Sequence, residues 1–410
     1  MAAHLFDEVA LAPRDPILGL NEAFAADQRP TKVNLGMGVY SDENGKVPLL
    51  AAVRQAENSK VALNAARSYL PIDGIPGYNL AVQKLLFGED SDLIVDGRAV
   101  TIQALGGTGA LKVGADFLRQ LEPHSEVHIG DPSWENHRAL FEAAGFKVSS
   151  YPYYDAATHG VKFDAWLSYL KNLKASSIVV LHACCHNPTG VDPTPDQWDE
   201  IIKVIVERDL IAFADIAYQG FGAGIYEDAA VIRKLVAQDI DFFVASSFSK
   251  SFSLYGERVG ALTVVTSGKD QSSRVLSQLK RTIRTNYSSP PSHGASIVSM
   301  VLNTPELRAT WESELAVMRT RIKRMRERLV ALLDELIPGR DFSFIAAQNG
   351  MFSYSGLTSS QVEDLQVESG IYAVSTGRIC VASLNDKNIE YVAKAIAHVV
   401  GEKAALEKVI

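Results

Sequence analysis

The chain has 410 residues, with 47% hydrophobic and 21% charged side chains and a formal net charge of -8. A chain of that length buries a large core and divides into about two or three domains. Its acidic balance argues against a nucleic-acid or anionic-membrane surface, and no apolar run approaches the roughly 18 residues of a membrane span.

The N-terminal stretch MAAHLFDEVALAPRDP has neither the basic, apolar, small-residue order of a signal peptide nor the Arg/Ser-rich character of a mitochondrial presequence, so a cytoplasmic location is expected. The three cysteines agree with that compartment: Cys184 and Cys185 are adjacent, which disfavours ordinary disulfide geometry, and Cys380 lies far away in sequence. From Arg98 to Thr266, strand-like apolar runs alternate with helical ones. RAVTIQAL leads into GGTGALKVGADFLRQL, EVHIG precedes a helix near NHRALFEAAG, SSIVVLHACC stops at HNPTG, and LIAFADIAY and IDFFVASSFS follow. This alternation predicts an α/β fold with a mostly parallel sheet covered by helices, and ligands gathered at the carboxyl ends of its strands.

Thr194 can cap a helix whose first turn holds Pro195, and Gln197 completes a capping box before the stripe Trp198, Ile201, Ile202, Ile205. From Trp311 the residues Leu315, Met318, Ile322, Met325, Leu329, Leu332 and Leu336 recur at four- and three-residue steps. They predict a long helix with one apolar seam, read as a bridge between domains rather than a coiled coil. After Pro338-Gly339, FSFIAA, MFSYSG, IYAVS and RICVAS read as short strands, with helices at SSQVEDLQVESG and KNIEYVAKAIAHVV. The division expected is an N-terminal arm with part of a small domain (1–32), a large domain (33–310), and a bridging helix with a smaller α+β domain (311–410).

Several motifs sit where such a sheet would gather ligands. GGTGAL, Gly106 to Leu111, joins a strand to a helix, so backbone N–H groups at the helix start can hold a phosphate with help from Thr108. It lacks the GK[ST] ending of a P-loop, and Lys112 stands where a dinucleotide fingerprint needs its third glycine. In DPSWENH, Trp134 follows a strand, where an indole could stack on a planar group, and His137 lies three residues on. HACCHNPTG brings His182, Cys184, Cys185 and His186 together, but adjacent cysteines fit metal-ligand spacing poorly; Asn187 in the loop is better suited to a ligand oxygen. ADIAYQGF puts Asp215 at a strand end with Tyr218 close behind, and a buried carboxylate needs a cationic partner or serves as a helix cap.

The most informative stretch is SSFSKSFSLYGERVG, where Lys250 leaves an apolar run among hydroxyls with Arg258 following. Desolvation lowers an ammonium pKa, and a neutral amine is what forms a Schiff base with an aldehyde cofactor. Pyridoxal phosphate also carries a dianion, for which Ser247, Ser249 and Arg258 are suitable donors. A lone lysine there would more often snorkel to water; its neighbours favour the cofactor. Arg284 in RTIRTNYSSPP and Arg378 in STGRICVAS are candidate carboxylate clamps, since a guanidinium forks onto two oxygens.

Taken in order, NLGMGVY, SYLPIDG, GGTGAL, PSWENH, HNPTG, DIAYQGF, SSFSKSFSLYGERVG, RTNYSSPPSHGA, NGMFSYSGL and TGRICVAS resemble the aspartate and aromatic amino acid aminotransferases of pyridoxal phosphate fold type I. The likeness runs from about Pro13 almost to the C-terminus. The resemblance implies that Lys250 binds pyridoxal phosphate covalently and shuttles the substrate α-proton, that Asp215 holds the pyridine nitrogen protonated, and that His137 orients Asp215. It implies Tyr218 and Asn187 at the cofactor phenolate oxygen and Trp134 on the ring. Gly107, Thr108, Ser247, Ser249, Arg258 and the neighbouring subunit's Tyr69 would hold the phosphate. Arg378, with Asn187 and the Gly38 backbone, would bind the α-carboxylate. Arg284, reaching in from the second subunit of a homodimer, would clamp a side-chain carboxylate, and Met37, Ile17 and Phe352 would supply apolar walls.

The reaction implied is a ping-pong exchange of an amino group between amino acids and 2-oxo acids such as 2-oxoglutarate. SFSKSFSLYGERVG and Ser289 resemble the bacterial aromatic enzymes, whereas Val39 resembles the aspartate branch. The reading is therefore a dual-specificity aromatic and aspartate aminotransferase, with a narrow aspartate aminotransferase as the alternative. Decarboxylation or β-elimination would share Lys250 and Asp215 without requiring Arg284. The ligand-sensing domain of a transcription regulator would need a basic DNA-binding extension, for which there is no room.

Overall fold

The computed structural model describes residues 4–12 and 17–407, of which 402–407 as backbone only; the start of the resemblance near Pro13 lies outside them. Seven strands form the main sheet: β1 (Ala99–Leu105), β2 (Glu126–Asp131), β3 (Lys147–Pro152), β4 (Ile178–His182), β5 (Ile211–Ile216), β6 (Phe242–Ser247) and β7 (Val259–Val265). Their spatial order is β1-β7-β6-β5-β4-β2-β3. All pairs are parallel except those of β7, which runs antiparallel to both neighbours. The reversal follows from the connection, because β6 and β7 are joined only by the segment Phe248–Arg258 and a parallel return needs a crossover of about a dozen residues or more.

The central strands β4, β5 and β6 are buried on both faces, as a sheet covered by helices requires, whereas the edge strand β3 (KVSSYP) is partly exposed. Val127, Ile129, Val180, Phe213 and Ala245 face one core, closed by the helices Gly106–Leu121, Glu135–Ala143 and Lys269–Asn286. Leu181, Ala212, Ala214 and Val244 face a second core, which continues through the helices Pro195–Glu207 and Pro305–Leu336 into the C-terminal segment. Helix Pro195–Glu207 begins as the sequence predicts: Gln197 N–H donates to Thr194 Oγ1 at 3.2 Å, and Thr194 N–H donates to Gln197 Oε1 at 2.9 Å.

The long helix spans Pro305–Leu336, starting ahead of Trp311 because Pro305 suits a first helical turn. Its seam from Trp311 to Leu329 is buried, whereas Leu336 is exposed. The helix packs on Ala51–Ala62 and His293–Asn303 as well as on Ser343–Ala347 and Ile389–Glu407. Trp311 Nε1 donates to the carbonyl of Ser251 at 2.7 Å, which ties the helix to the residue after Lys250.

FSFIAA is not the strand that its alternation suggested; Ser343–Ala347 is a short helix. The Asp341 carboxylate accepts the Ser343 N–H at 2.8 Å, turning the chain, and Phe342 and Ile345 are then buried at a helical spacing. The other runs behave as read. Phe352–Tyr354 pairs antiparallel with Arg378–Cys380, and helices cover Ser359–Ser369 and Ile389–Glu407. Ile371–Tyr372 pairs in parallel with Val33–Asn34. The N-terminal chain joins it there, with Phe24 edge-on to Tyr372, the Tyr372 hydroxyl donating to Asp27 at 2.8 Å, and Arg29 donating to the carbonyls of Gln366 and Val367.

Candidate active site

The carboxyl ends of β4, β5 and β6 and the start of helix Gly106–Leu121 surround one cavity of about 220 Å³. Strand register brings the chemistry there: His182 of β4 lies beside Asp215 of β5, and Asp215 beside Ala245 of β6, with Lys250 just past the end of β6. The site therefore sits where parallel strands end and leave side chains facing a crevice.

Asp215 is buried, and its two oxygens differ. Oδ2 accepts from His137 Nε2 at 3.0 Å, and His137 Nδ1 meets the Ser133 hydroxyl at 2.8 Å. Oδ1 is buried with no partner. Burial pushes the Asp215 carboxyl up, but the His137 hydrogen bond, with the nearby His137 and Lys250, outweighs it and holds the group below its ordinary value. An ionised carboxylate with one unsatisfied oxygen calls for a donor, preferably cationic. His182 beside it stays neutral, since burial lowers its pKa to about 3.

Lys250 Nζ lies 4.9 Å from the centroid of the Tyr218 ring. Burial, opposed by Asp215 and reinforced by Arg258, brings its pKa down to about 8. A free-amine fraction of that size at neutral pH is what nucleophilic attack on a carbonyl needs. Burial also pushes the Tyr218 hydroxyl far up, so it serves as a hydrogen-bond donor.

Facing Lys250 is a cradle for an anion. Arg258 adopts a left-handed backbone (φ 53°) and donates from Nη1 to Ser249 Oγ at 3.1 Å and to the Tyr255 carbonyl at 3.0 Å. Gly106, also at positive φ, opens the helix next to it; a Cβ there would stand 2.4 Å from Arg258 Nη2, and one on Gly107 would stand 3.1 Å from Ser247 Cβ. A side chain at either glycine would crowd this space, which lies beside the start of the helix, where the first backbone N–H groups have no partner within the helix.

Arg378 is 1% exposed. Nη1 donates to Asn187 Oδ1 at 3.1 Å, Nη2 donates to the Gly36 carbonyl at 2.6 Å, and the guanidinium carbon lies 4.4 Å from the Phe352 ring centroid. Nε is buried and unpaired, and among the described residues no carboxylate forms an ion pair with Arg378. A buried cation in that state is a site for an anion.

The cavity gathers Gly38, Gly107, Thr108, Trp134, Asn187, Asp215, Tyr218, Ser247, Ser249, Lys250, Arg258 and Arg378, together with Ile17 and Phe352. His137 stands behind Asp215, and Met37 does not line the space. Tyr69 is 95% exposed and Arg284 is exposed, with its guanidinium on Ser288; neither lines the cavity of its own chain. The sequence reading missed Leu111, His182, Cys184 and Ala217 as lining residues. The available signal was strand period, since His182 and Cys184 are two apart at a strand end. Cys184, Cys185 and Asp228 also converge, but the Asp228 oxygens accept N–H groups of Gly220, Gly222, Ala223 and Gly224. The neighbouring Cys185 thiol, and then burial, push the Cys184 thiol well up.

The chain as a whole matches a known family. The sequence pattern of aminotransferase class I and II matches residues 30–396. The chain is 62% identical over 395 residues to aspartate aminotransferase of Pseudomonas aeruginosa, covering 96% of this chain and 99% of that protein. It is 52% identical over 399 residues to aromatic-amino-acid aminotransferase of Escherichia coli, covering 96% and 100%. Among solved structures, an aromatic-amino-acid aminotransferase of Burkholderia pseudomallei covalently bound to pyridoxal phosphate superposes with a TM-score of 0.95 at 64% identity, covering 97% of this chain and all of that one. The chain belongs to the class I and II aminotransferase family and is an aminotransferase of the aspartate and aromatic-amino-acid type.

Proposed function

We propose that this enzyme uses pyridoxal phosphate, held at Lys250, to exchange amino groups between aromatic or acidic amino acids and 2-oxo acids such as 2-oxoglutarate in a ping-pong cycle. The observation that carries the reading is a single cavity holding unmet charge of both signs: Asp215 with a bare buried oxygen, Arg378 with a bare buried N–H, and a lysine poised near pKa 8. The residues fit the cofactor's two ends. Asp215 Oδ1 would receive a pyridinium N–H, and Arg258, Ser247, Ser249, Thr108 and the N–H groups after Gly106 would receive the phosphate. When bound, pyridoxal phosphate supplies an aldehyde that accepts the amino group and a ring that withdraws electrons from the α-carbon.

The chain's own residues would do the rest. Lys250 Nζ, neutral in a useful fraction, would anchor the cofactor and would move the proton from the substrate α-carbon. Asp215, oriented by His137, would keep a proton on the ring nitrogen. Tyr218 and Asn187 would donate to the cofactor phenolate oxygen, and Trp134 would cover the ring. Arg378, with Asn187 and the Gly38 backbone, would bind the substrate α-carboxylate, and Ile17 and Phe352 would wall the side-chain space. Relatives named for aspartate and for aromatic amino acids at comparable identity support dual specificity.

Arg284 and Tyr69 are useful only if they enter a neighbouring cavity, so the working unit would be a homodimer with shared sites. The large domain would span 33–310, with 311–410 and the N-terminal arm forming the smaller one. Among the described residues no helix is long and apolar enough to cross a membrane, and the three buried cysteines are free thiols, which supports placement in the cytoplasm. Arg378→Ala tests the substrate assignment. Every amino acid should lose affinity, because each carries an α-carboxylate; a defect confined to dicarboxylic substrates would show that Arg378 holds the side chain instead.

A further inference from the structure

We propose that Asp192 is a positioning residue for substrate binding: it fixes the turn that carries Asn187 and, through Asn187, the Arg378 guanidinium. This rests on the reading that Arg378 and Asn187 hold the substrate α-carboxylate. The turn after β4 does not hold itself. Cys185 has a left-handed backbone (φ 52°), which a non-glycine residue adopts at a cost. That conformation aims the N–H groups of Cys185 and His186 to one side, forming a small anion-binding nest. The Asp192 carboxylate fills it, with Oδ2 accepting the Cys185 N–H and Oδ1 accepting the His186 N–H, both at 2.9 Å. The next residue is Asn187, whose Oδ1 receives Arg378 Nη1 at 3.1 Å.

The far side of the turn is pinned independently, by Gly190 N–H on the His186 carbonyl at 2.7 Å and Asn349 N–H on the Gly190 carbonyl at 2.6 Å. Two ionisable groups bear on Asn187: His182, whose Nδ1 accepts the Asn187 N–H at 3.3 Å and whose pKa burial lowers to about 3, and Asp192, which alone of the two titrates near neutral pH. Burial, opposed by the two N–H groups and reinforced by Asp228, raises its carboxyl to about 6. The other groups around it are the thiols of Cys184 and Cys185, the neutral His186, Tyr153, the buried Arg326, and Glu227 and Lys234, which line with Asp192 a separate cavity outside the active site. Below that pH one oxygen gains a proton and one N–H loses its acceptor, so substrate affinity should fall as pH drops through about 6.

The test uses the cofactor-loaded enzyme and two non-reacting probes, α-methylaspartate and α-methylphenylalanine, which lack the proton to be moved. Their Kd is read from the cofactor absorbance between pH 5 and 8. Asp192→Asn keeps the shape but replaces one acceptor with a donor. It should raise Kd for both probes about tenfold at pH 7.5, the scale of one lost charged hydrogen bond, and abolish the acid limb. In turnover, KM should rise while kcat changes by less than about threefold, a split that general loosening of the fold would not give. Asp192→Glu, which keeps the charge, should recover part of the affinity and the acid limb, and it carries the test if Asp192→Asn does not fold. Wild-type Kd and an intact acid limb in Asp192→Asn, while Arg378→Lys weakens both probes, would overturn the proposal alone. Unchanged binding in Arg378→Lys would overturn the α-carboxylate reading and this proposal with it.

Discussion

Lys250 and Asp215 lie side by side in function but are driven in opposite directions by burial and by each other. For the lysine, desolvation wins and the amine titrates near 8; for Asp215, the His137 hydrogen bond and neighbouring positive charge win and the carboxylate stays ionised. The covalent capture of pyridoxal phosphate by cofactor-free protein should therefore speed up as pH rises to about 8 and then level off. Stopped-flow absorbance measures this; a rate still climbing toward pH 10 would show an unshifted lysine. Asp215→Asn removes the charge and keeps the shape, so single-turnover proton removal should slow while cofactor occupancy falls only modestly. Unchanged single-turnover rates would make Asp215 structural. The residue types at these positions were legible because an apolar strand ending in Lys or Asp is chemically costly. Asp192 was not, since nothing in HNPTGVDP announces that its carboxylate turns back onto two N–H groups.

At the level of elements, legibility followed how local the determining contacts are. The capping box at Thr194 and Gln197 and the seam from Trp311 to Leu329 are set by neighbours within a few residues and came through as read. The direction of β7 depends on the length of its connection and on β1 as a partner, which alternation does not encode. FSFIAA misled because two phenylalanines flanking a serine imitate strand period, whereas the Asp341 carboxylate, one residue ahead of the run, turns it into a helix. The cap at Thr194 can be weighed directly. Thr194→Ala should lower unfolding free energy by about 1 kcal/mol in urea denaturation, the usual size of a lost N-cap. No loss would mean that Pro195 and the buried stripe define that helix start unaided.

For the whole molecule, Arg284 and Tyr69 lie on the outside of their own chain, and the proposed homodimer would make the partner part of the chemistry. Arg284→Leu should cost aspartate tens- to thousands-fold in kcat/KM, from about 2 to 5 kcal/mol for a desolvated ion pair, and cost phenylalanine little. Mixed dimers of Lys250→Ala and Arg284→Leu chains should recover aspartate activity, because one cavity then has both groups native; verified heterodimers without recovery would refute a shared site. The central claim is that this cavity passes an amino group to the cofactor and releases a 2-oxo acid before the second substrate arrives. The direct measurement is a half-reaction on purified, cofactor-loaded enzyme given aspartate or phenylalanine alone. Up to one equivalent of the matching 2-oxo acid per chain should appear with a shift in cofactor absorbance, reversed by 2-oxoglutarate and absent in Lys250→Ala. Release only when both substrates are present, or carbon dioxide or ammonia in place of the 2-oxo acid, would contradict it.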